Sequence, residues 1–309
     1  MTDICICCGA HFTSNATQYI LNDRRKGLQG SWLFIECGTC GLISMDPRPT
    51  DKQLDSYYAA YSKDEVVDLA PHAGERYPML RKIFHKLSGD VDPRDFVHVY
   101  EGARVLDYGC GHAGYLRDFH ERGISIIGAD IADYVVKACL NSGFDVRKVD
   151  NFSKIPFSDA EFDIIYLMQV FEHLRDPHRF LSELSRVLKK SGDLYIAVPN
   201  SASIWRKLFR KNWVSGWFAP FHLFHYNRNT LEKLAERHGF YVEKWWSNTP
   251  VMWFKLNLKA WLYSKNNQLD WTKSCLDSPI LNSLLMLVLR IIELPFRDRD
   301  CLVIKFKKK

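Results

Sequence analysis

The chain has 309 residues, 47% of them hydrophobic, and a formal net charge of +6. That supplies a full core with a small appendage, and so mild a charge demands no nucleic-acid partner, although it permits an anionic or membrane-surface one. No run reaches the roughly 18–20 apolar residues of a membrane span, the nearest being Ile280–Phe296, which polar residues interrupt.

Met1–Gly9 lacks the basic start and apolar run of a secretion signal. Nine cysteines, two pairs of them in C-x-x-C spacing, fit a reduced compartment and metal binding better than disulfides, so the cytoplasm is the expected location.

Cys5-Ile-Cys-Cys8-Gly9 and Cys37-Gly-Thr-Cys40-Gly41 both read C-x-x-C-G. In such a turn two thiolates aim at one ion, and two converging knuckles give tetrahedral S₄ coordination, which suits a structural Zn²⁺. Cys7 competes for a ligand place, but the repeated pattern favours Cys5, Cys8, Cys37 and Cys40. A closed Cys₄ site leaves no position for chemistry. Pro47 and Pro49 break the chain after it, so residues 1–50 are expected to form a zinc-ribbon-like unit.

Residues 51–100 carry helical signals at Lys52–Tyr61 and Glu75–Leu87. From residue 101 the pattern alternates. Strands are predicted at Ala103–Tyr108, Ser125–Ala129, Phe144–Val149, Phe162–Met168 and Leu194–Val198, with helices at Gly114–Arg122, Ala132–Ser142 and His178–Lys189. Alternation of this kind implies right-handed crossovers and a parallel sheet covered on both faces. A helix at Thr230–His238, a strand at Tyr241–Trp246, an aromatic-rich insertion at about 250–298 and a strand at Cys301–Phe306 complete residues 101–309.

In such a sheet, ligands bind beyond the carboxyl ends of the strands near the topological switch. Asp107 ends the first strand, and Gly109 and Gly111 let the backbone approach a ligand closely. Asp130 ends the second strand, where an acid accepts ribose hydroxyls, and Asp150 follows the third within reach of an exocyclic amine. The fourth leads into Met168-Gln169-Val-Phe-Glu172-His173. The spacing Gly109-x-Gly111-x-x-Gly114 alone serves a dinucleotide equally well.

Over residues 100–245 this order resembles the class I S-adenosylmethionine-dependent methyltransferases. Val105–Gly111 resembles the family's first motif and Gly128-Ala-Asp130 its ribose-binding acid. Phe171–Pro177, Arg186–Gly192 and Val198-Pro-Asn200 resemble the branch that includes the ubiquinone-pathway O-methyltransferases. Ala113 stands where the third motif glycine is usual, a small departure. The resemblance implies a Rossmann-like α/β fold with a seven-stranded sheet whose last strand is antiparallel. It further implies S-adenosylmethionine held by Asp107, Gly109, Gly111, Asp130, Asp150 and Gln169. Cys40–Thr50, followed by Tyr57, Tyr58 and Tyr61, resembles the N-terminal zinc segment of methyltransferases in sugar and polysaccharide biosynthesis. The C-methylating members carry a further C-terminal domain for which this chain is too short, which favours O-methylation.

Methyl transfer is an in-line displacement, so the acceptor must be aligned and its proton removed. His222, in the loop after the fifth strand, is the expected base, with Glu172 and His173 shaping the pocket; His173 alternatively caps the next helix, and His222 alternatively bridges backbone groups. In related enzymes acids and histidines here hold a divalent cation at the acceptor site, which Glu172 and His173 would do. The three tyrosines either cover the cofactor or pack the two units together.

Eight of nine tryptophans follow residue 200. Ser203–Trp213 mixes aromatic and basic residues, suiting either a peripheral membrane surface or, preferred, a lid over the acceptor pocket. The expected acceptor is a small molecule or glycan hydroxyl. RNA base methylation and a non-catalytic S-adenosylmethionine-binding scaffold stand as alternatives; a broad basic face with stacking aromatics is lacking, so nucleic acid is not the expected partner.

Overall fold

The structure, a computed structural model, describes residues 4–25, 27–62, 98–111, 113–149, 154–262, 285 and 288–309. The helix expected at Glu75–Leu87 and most of the 250–298 insertion lie outside these. Within the insertion, a helix spans Val251–Leu262 and residues 288–293 are helical.

Two sheets carry the architecture. The larger has seven strands: β4 (Arg104–Tyr108), β5 (Ser125–Asp130), β6 (Val146–Lys148), β7 (Phe162–Met168), β8 (Leu188–Pro199), β10 (Phe240–Asn248) and β11 (Cys301–Lys308). Their order is β10-β11-β8-β7-β4-β5-β6. Strands β4 to β8 pair in parallel, and β11 runs antiparallel between β8 and β10. The central strands are apolar almost throughout, Ile164 to Leu167 being wholly buried, as a sheet covered on both faces requires. The chain steps from β4 outward to β6 and returns at β7 on β4's other side, so the switch point lies between β4 and β7.

The smaller sheet joins β1 (Gln18–Leu21), β2 (Trp32–Glu36) and β3 (Ile43–Met45) to β9 (Phe224–His225), a strand drawn from the loop after β8. Ile43 pairs with His225 and Ser44 with Phe224, and the Met45 amide donates to the Leu223 carbonyl at 2.9 Å. Strands β1 to β3 of the N-terminal segment therefore share a sheet with a strand of the larger unit. Helix α1 (Asp51–Ser62) follows directly.

Most predicted boundaries move by one or more residues, the fifth strand starting at Leu188 rather than Leu194, and two of the shifts have a visible cause. The helix expected at His178–Lys189 spans Pro177–Val187. Asp176 caps it by accepting the Arg179 amide at 3.0 Å, so His173 is not the cap. Leu188 leaves the helix because it pairs with Phe162 in the sheet, wholly buried; a bulge between Phe162 and Ile164 absorbs the residues before Asp193. At the sheet's edge β6 shortens to Val146–Lys148, because the Phe144 amide is taken by the Cys139 carbonyl as the preceding helix ends.

Leu188 is thus a wholly buried sheet residue in the main hydrophobic core. Leu188→Ala is expected to destabilise the chain by about 2–5 kcal/mol, read from the midpoint of guanidinium unfolding; a loss under about 1 kcal/mol would contradict this placement.

Candidate active site

The four expected metal ligands converge. Cys5 Sγ lies 3.6 Å from Cys40 Sγ, and Cys8 Sγ 3.6 Å from Cys37 Sγ; all four sulfurs lie within 4.8 Å of one another. A tetrahedron with metal–sulfur bonds of about 2.3 Å has sulfurs just under 4 Å apart, so the spacing fits. The knuckles match in backbone too: the Gly9 amide donates to the Cys5 carbonyl at 2.9 Å and that of Gly41 to Cys37 at 2.8 Å. Cys7 stands outside the set, its Sγ 3.5 Å from the Thr230 carbonyl.

At the switch point, Asp107 is buried near the end of β4. The Gly109 and Cys110 amides both donate to the Ala129 carbonyl, at 2.7 and 3.1 Å, which folds the loop over β5. Asp130 accepts the Gly111 amide at 3.0 Å and the Ala132 amide at 2.9 Å; each oxygen retains a lone pair for a hydroxyl. Burial raises its pKa despite these donors.

Gly109 is required twice over. Its φ is +80°, and an added Cβ would fall 2.3 Å from Val170 Cγ2. At Gly111, among the described residues, an added Cβ meets nothing closer than the Gly109 carbonyl at 4.0 Å, so it would enter open space beside the loop. Ala113 occupies the left-handed region at φ 56°, where the usual glycine would be unstrained. Asp150 lies outside the described residues. Gln169 follows β7 in the same left-handed region (φ 60°), its carboxamide 3.6 Å from Cys301 Sγ.

Beyond Val170, Phe171–His173 forms a 3₁₀ turn that brings Glu172 to His222. Both are buried, with His222 Nε2 3.8 Å from Glu172 Oε1. Among the described residues neither Glu172 oxygen has a hydrogen-bond partner, and burial pushes its pKa up to about 8. His222 Nδ1 sits 2.7 Å from the Gly216 carbonyl, which can only accept. Nδ1 therefore carries the hydrogen and Nε2 keeps its lone pair toward Glu172. Burial, then the neighbouring histidines, hold His222 neutral, far below its usual range.

His173 is spent differently. One nitrogen donates to the Phe221 carbonyl, and Nδ1 lies 3.0 Å from the Tyr58 hydroxyl, from which it accepts. Burial lowers its pKa to about 4. The ligand atoms of Glu172, His173 and His222 nonetheless lie within 4.8 Å of one another. Tyr58 reaches the site, then, whereas Tyr57 packs edge-on against Trp32 at 6.1 Å; the Tyr61 side chain lies outside the described residues.

Sequence reasoning did not single out Phe218 and Arg25. The Phe218 ring stacks on Phe221 (4.8 Å) and meets His222 edge-on (5.2 Å), while the Arg25 guanidinium lies over the ring at 4.0 Å. Only the fold brings position 25 to position 218. Trp205, Trp213 and Trp217 turn inward, at most 4% exposed, while Leu208 and Trp261 remain on the surface. Among the described residues no helix is long and apolar enough to cross a membrane.

The glycine loop yields a contrast. Gly109→Ala should both destabilise the fold and weaken S-adenosylmethionine binding. Gly111→Ala should retain most of the stability, losing about 1–2 kcal/mol to its left-handed backbone, yet weaken binding at least tenfold. Calorimetric titration beside thermal unfolding checks this; equal affinity in Gly111→Ala and wild type would exclude the loop as the cofactor's cradle.

Residues 73–244 match the profile of a family described as methyltransferase domain. The chain is similar to a ubiquinone biosynthesis O-methyltransferase of Maricaulis maris, 28% identical over 126 residues, covering 38% of this chain and 50% of that protein. It is also similar to a probable S-adenosylmethionine-dependent methyltransferase of Mycolicibacterium smegmatis, 33% identical over 152 residues, covering 47% of this chain and 55% of that protein. The chain thus spans about half the length of these curated relatives. A solved S-adenosylmethionine-dependent methyltransferase from Archaeoglobus fulgidus aligns at TM-score 0.48 and 21% identity, covering 77% of this chain and all of that one. With the family profile spanning more than half of its residues and β11 inserted antiparallel beside five parallel strands, the chain belongs to the methyltransferase domain family and has the class I S-adenosylmethionine-dependent methyltransferase fold.

Proposed function

We propose that the chain transfers a methyl group from S-adenosylmethionine to a hydroxyl of a saccharide, nucleotide-sugar or lipid-linked glycan, with His222 as proton acceptor. The observation that carries this reading is the buried Glu172–His222 pair, 3.8 Å apart, two residues beyond the Val170 side chain that packs on the glycine loop. When bound, S-adenosylmethionine supplies an electrophilic methyl group on a sulfonium.

The chain's own residues do the rest. The Gly109–Gly111 loop and the remaining lone pairs of Asp130 hold the donor. Phe218, Phe221 and Tyr58 wall the site from water. His222 Nε2 takes the proton of the acceptor hydroxyl, with the Nδ1–H bond to Gly216 keeping the ring in the accepting tautomer. Glu172, which burial keeps largely protonated at neutral pH, faces His222 Nε2 at 3.8 Å and contributes a neutral dipole rather than a charge to the pocket. A sugar acceptor is supported by the likeness of Cys40–Thr50 to sugar methyltransferases. Against RNA, Trp205 and Trp213 are buried, which removes them as stacking platforms.

The four cysteines are assigned a structural zinc ion. A second reading of the acceptor site, a divalent cation on Glu172, His173 and His222, draws support from their clustering, although His173 would have to release Tyr58.

Labelled S-adenosylmethionine incubated with nucleotide-sugar, glycolipid and RNA fractions tests the function. Label is expected in a sugar-bearing fraction; label in RNA alone would refute the reading. His222→Ala is expected to lower kcat by about 10²–10⁴-fold with cofactor affinity retained. Elemental analysis after dialysis should find one zinc per chain, lost with Cys8→Ser. A second metal equivalent that disappears in Glu172→Gln would establish the cation.

Folding raises the Glu172 pKa from 4.5 to about 8. The folded chain therefore holds this proton more tightly than the unfolded one. The stability tied to it is fully present below pH 4.5 and is lost as pH rises through about 8. Thermal unfolding of Glu172→Gln should show an advantage over wild type that grows across this interval; a pH-independent difference would mean that the carboxyl is not buried as described.

A further inference from the structure

A cleft of about 230 Å³ opens between β1 with its following loop and the segment Lys211–Ala219. It is smaller than the roughly 300 Å³ at which whole small-molecule ligands are held, so it fits part of a ligand. Among the described residues three cations line it, Arg24, Arg25 and Lys211, and no acid does. Asp23, which precedes the two arginines, is buried and accepts the Arg25 and Leu28 amides at 2.8 and 2.9 Å.

Arg24 donates one N–H to the buried Asn212 side chain, a neutral partner that orients the guanidinium without neutralising it. Trp217 and Phe218 supply apolar walls, which concentrate the field of the cations on whatever anion enters. The cleft adjoins the acceptor site. Phe218 is the partition, with Arg25 over one face at 4.0 Å and His222 against it at 5.2 Å.

We propose that this cleft is the phosphoryl subsite of the methyl acceptor. Arg24, Arg25 and Lys211 bind the phosphate or diphosphate of a glycosyl phosphate, and Phe218 separates that group from the hydroxyl presented to His222. The assignment rests on the sugar O-methylation reading above, and narrows the acceptor to phosphorylated saccharides. Guanidinium groups suit phosphate because their planar forks donate bidentately, while the lysine adds a point charge.

Calorimetric titration of the full chain with sodium pyrophosphate tests the subsite, with S-adenosylmethionine titrated in parallel. Pyrophosphate is expected to bind, more weakly as salt rises. Arg24→Gln and Lys211→Gln should each lower its affinity about tenfold or more without altering S-adenosylmethionine binding; Lys211 is exposed, so its variant keeps the fold. Lys137→Gln, on a distant exposed position, is the control. Absence of pyrophosphate binding, or equal affinity in the Arg24→Gln/Lys211→Gln double variant, overturns the subsite.

Loss of the S-adenosylmethionine isotherm with pyrophosphate binding intact would instead sink the methyl-transfer reading and leave the anion site standing. Two arms separate the source of the phosphate: uridine diphosphate glucose in solution, and phosphatidylcholine vesicles bearing a polyprenyl phosphate. Binding to either that is lost in the double variant names the carrier. Binding to neither overturns the assignment to the acceptor.

Discussion

The short ladder between β3 and β9 is the contact on which the site depends. It has only two residue pairs, Ile43 with His225 and Ser44 with Phe224, and a two-residue strand does not persist by its own hydrogen bonds. Its permanence comes from both sides. The cysteine knuckles hold Leu42 and Ile43 in place from the N-terminal side, where the Cys37 amide donates to the Leu42 carbonyl at 2.9 Å. From the other side, β9 runs into Asn227, which caps the following helix (Arg228–Glu236) in a reciprocal box with Thr230. Between these fixed ends lies the loop that carries Gly216, Phe218 and His222. A closed Cys₄ cluster performs no chemistry, yet it sets where the histidine stands.

The second constraint is electrostatic. Glu172 is a carboxyl without a hydrogen-bond partner among the described residues, its nearest polar neighbour the neutral imidazole of His222 at 3.8 Å. Leaving such a group buried costs stability, and packing alone would replace it with leucine. Its backbone explains why it cannot drift away: the Glu172 carbonyl accepts the Leu223 amide at 2.8 Å, one residue after His222 and one before β9. Glu172 and His222 are therefore tied through the main chain as well as facing each other through their side chains. Strain and desolvation concentrated at one point, and held by rigid elements around it, are what a pre-organised site looks like.

Much of this was legible in the sequence, and the limits have physical causes. The strand-end acids, the glycine turn and both cysteine knuckles are local patterns, each requiring only a few consecutive residues. β11 was readable because Cys301–Phe306 is an apolar run. The end of the helix at Val187 was not, because Lys189 and Lys190 continue a helical pattern while Leu188 answers to Phe162, 26 positions away. The role of β9 could not be seen either. Phe224-His225 looks like loop sequence and becomes strand only against Ile43-Ser44. The same holds for Arg25 over Phe218, a contact across more than 190 residues that no spacing rule encodes. Tyr57 and Tyr58 show the limit at its sharpest: adjacent in sequence and identical in type, they point to opposite duties, one to packing against Trp32 and the other to His173.

The two halves of the site are also coupled at their boundary. Val170 Cγ2 fills the space that a Gly109 side chain would occupy, so the donor loop and the turn that carries Glu172 are in van der Waals contact. Packed contacts of this kind transmit small displacements because the interior has no slack. The glycine loop and the turn that carries Glu172 are thereby held in one register, and the same contact fixes where Glu172 stands two residues later, 3.8 Å from His222.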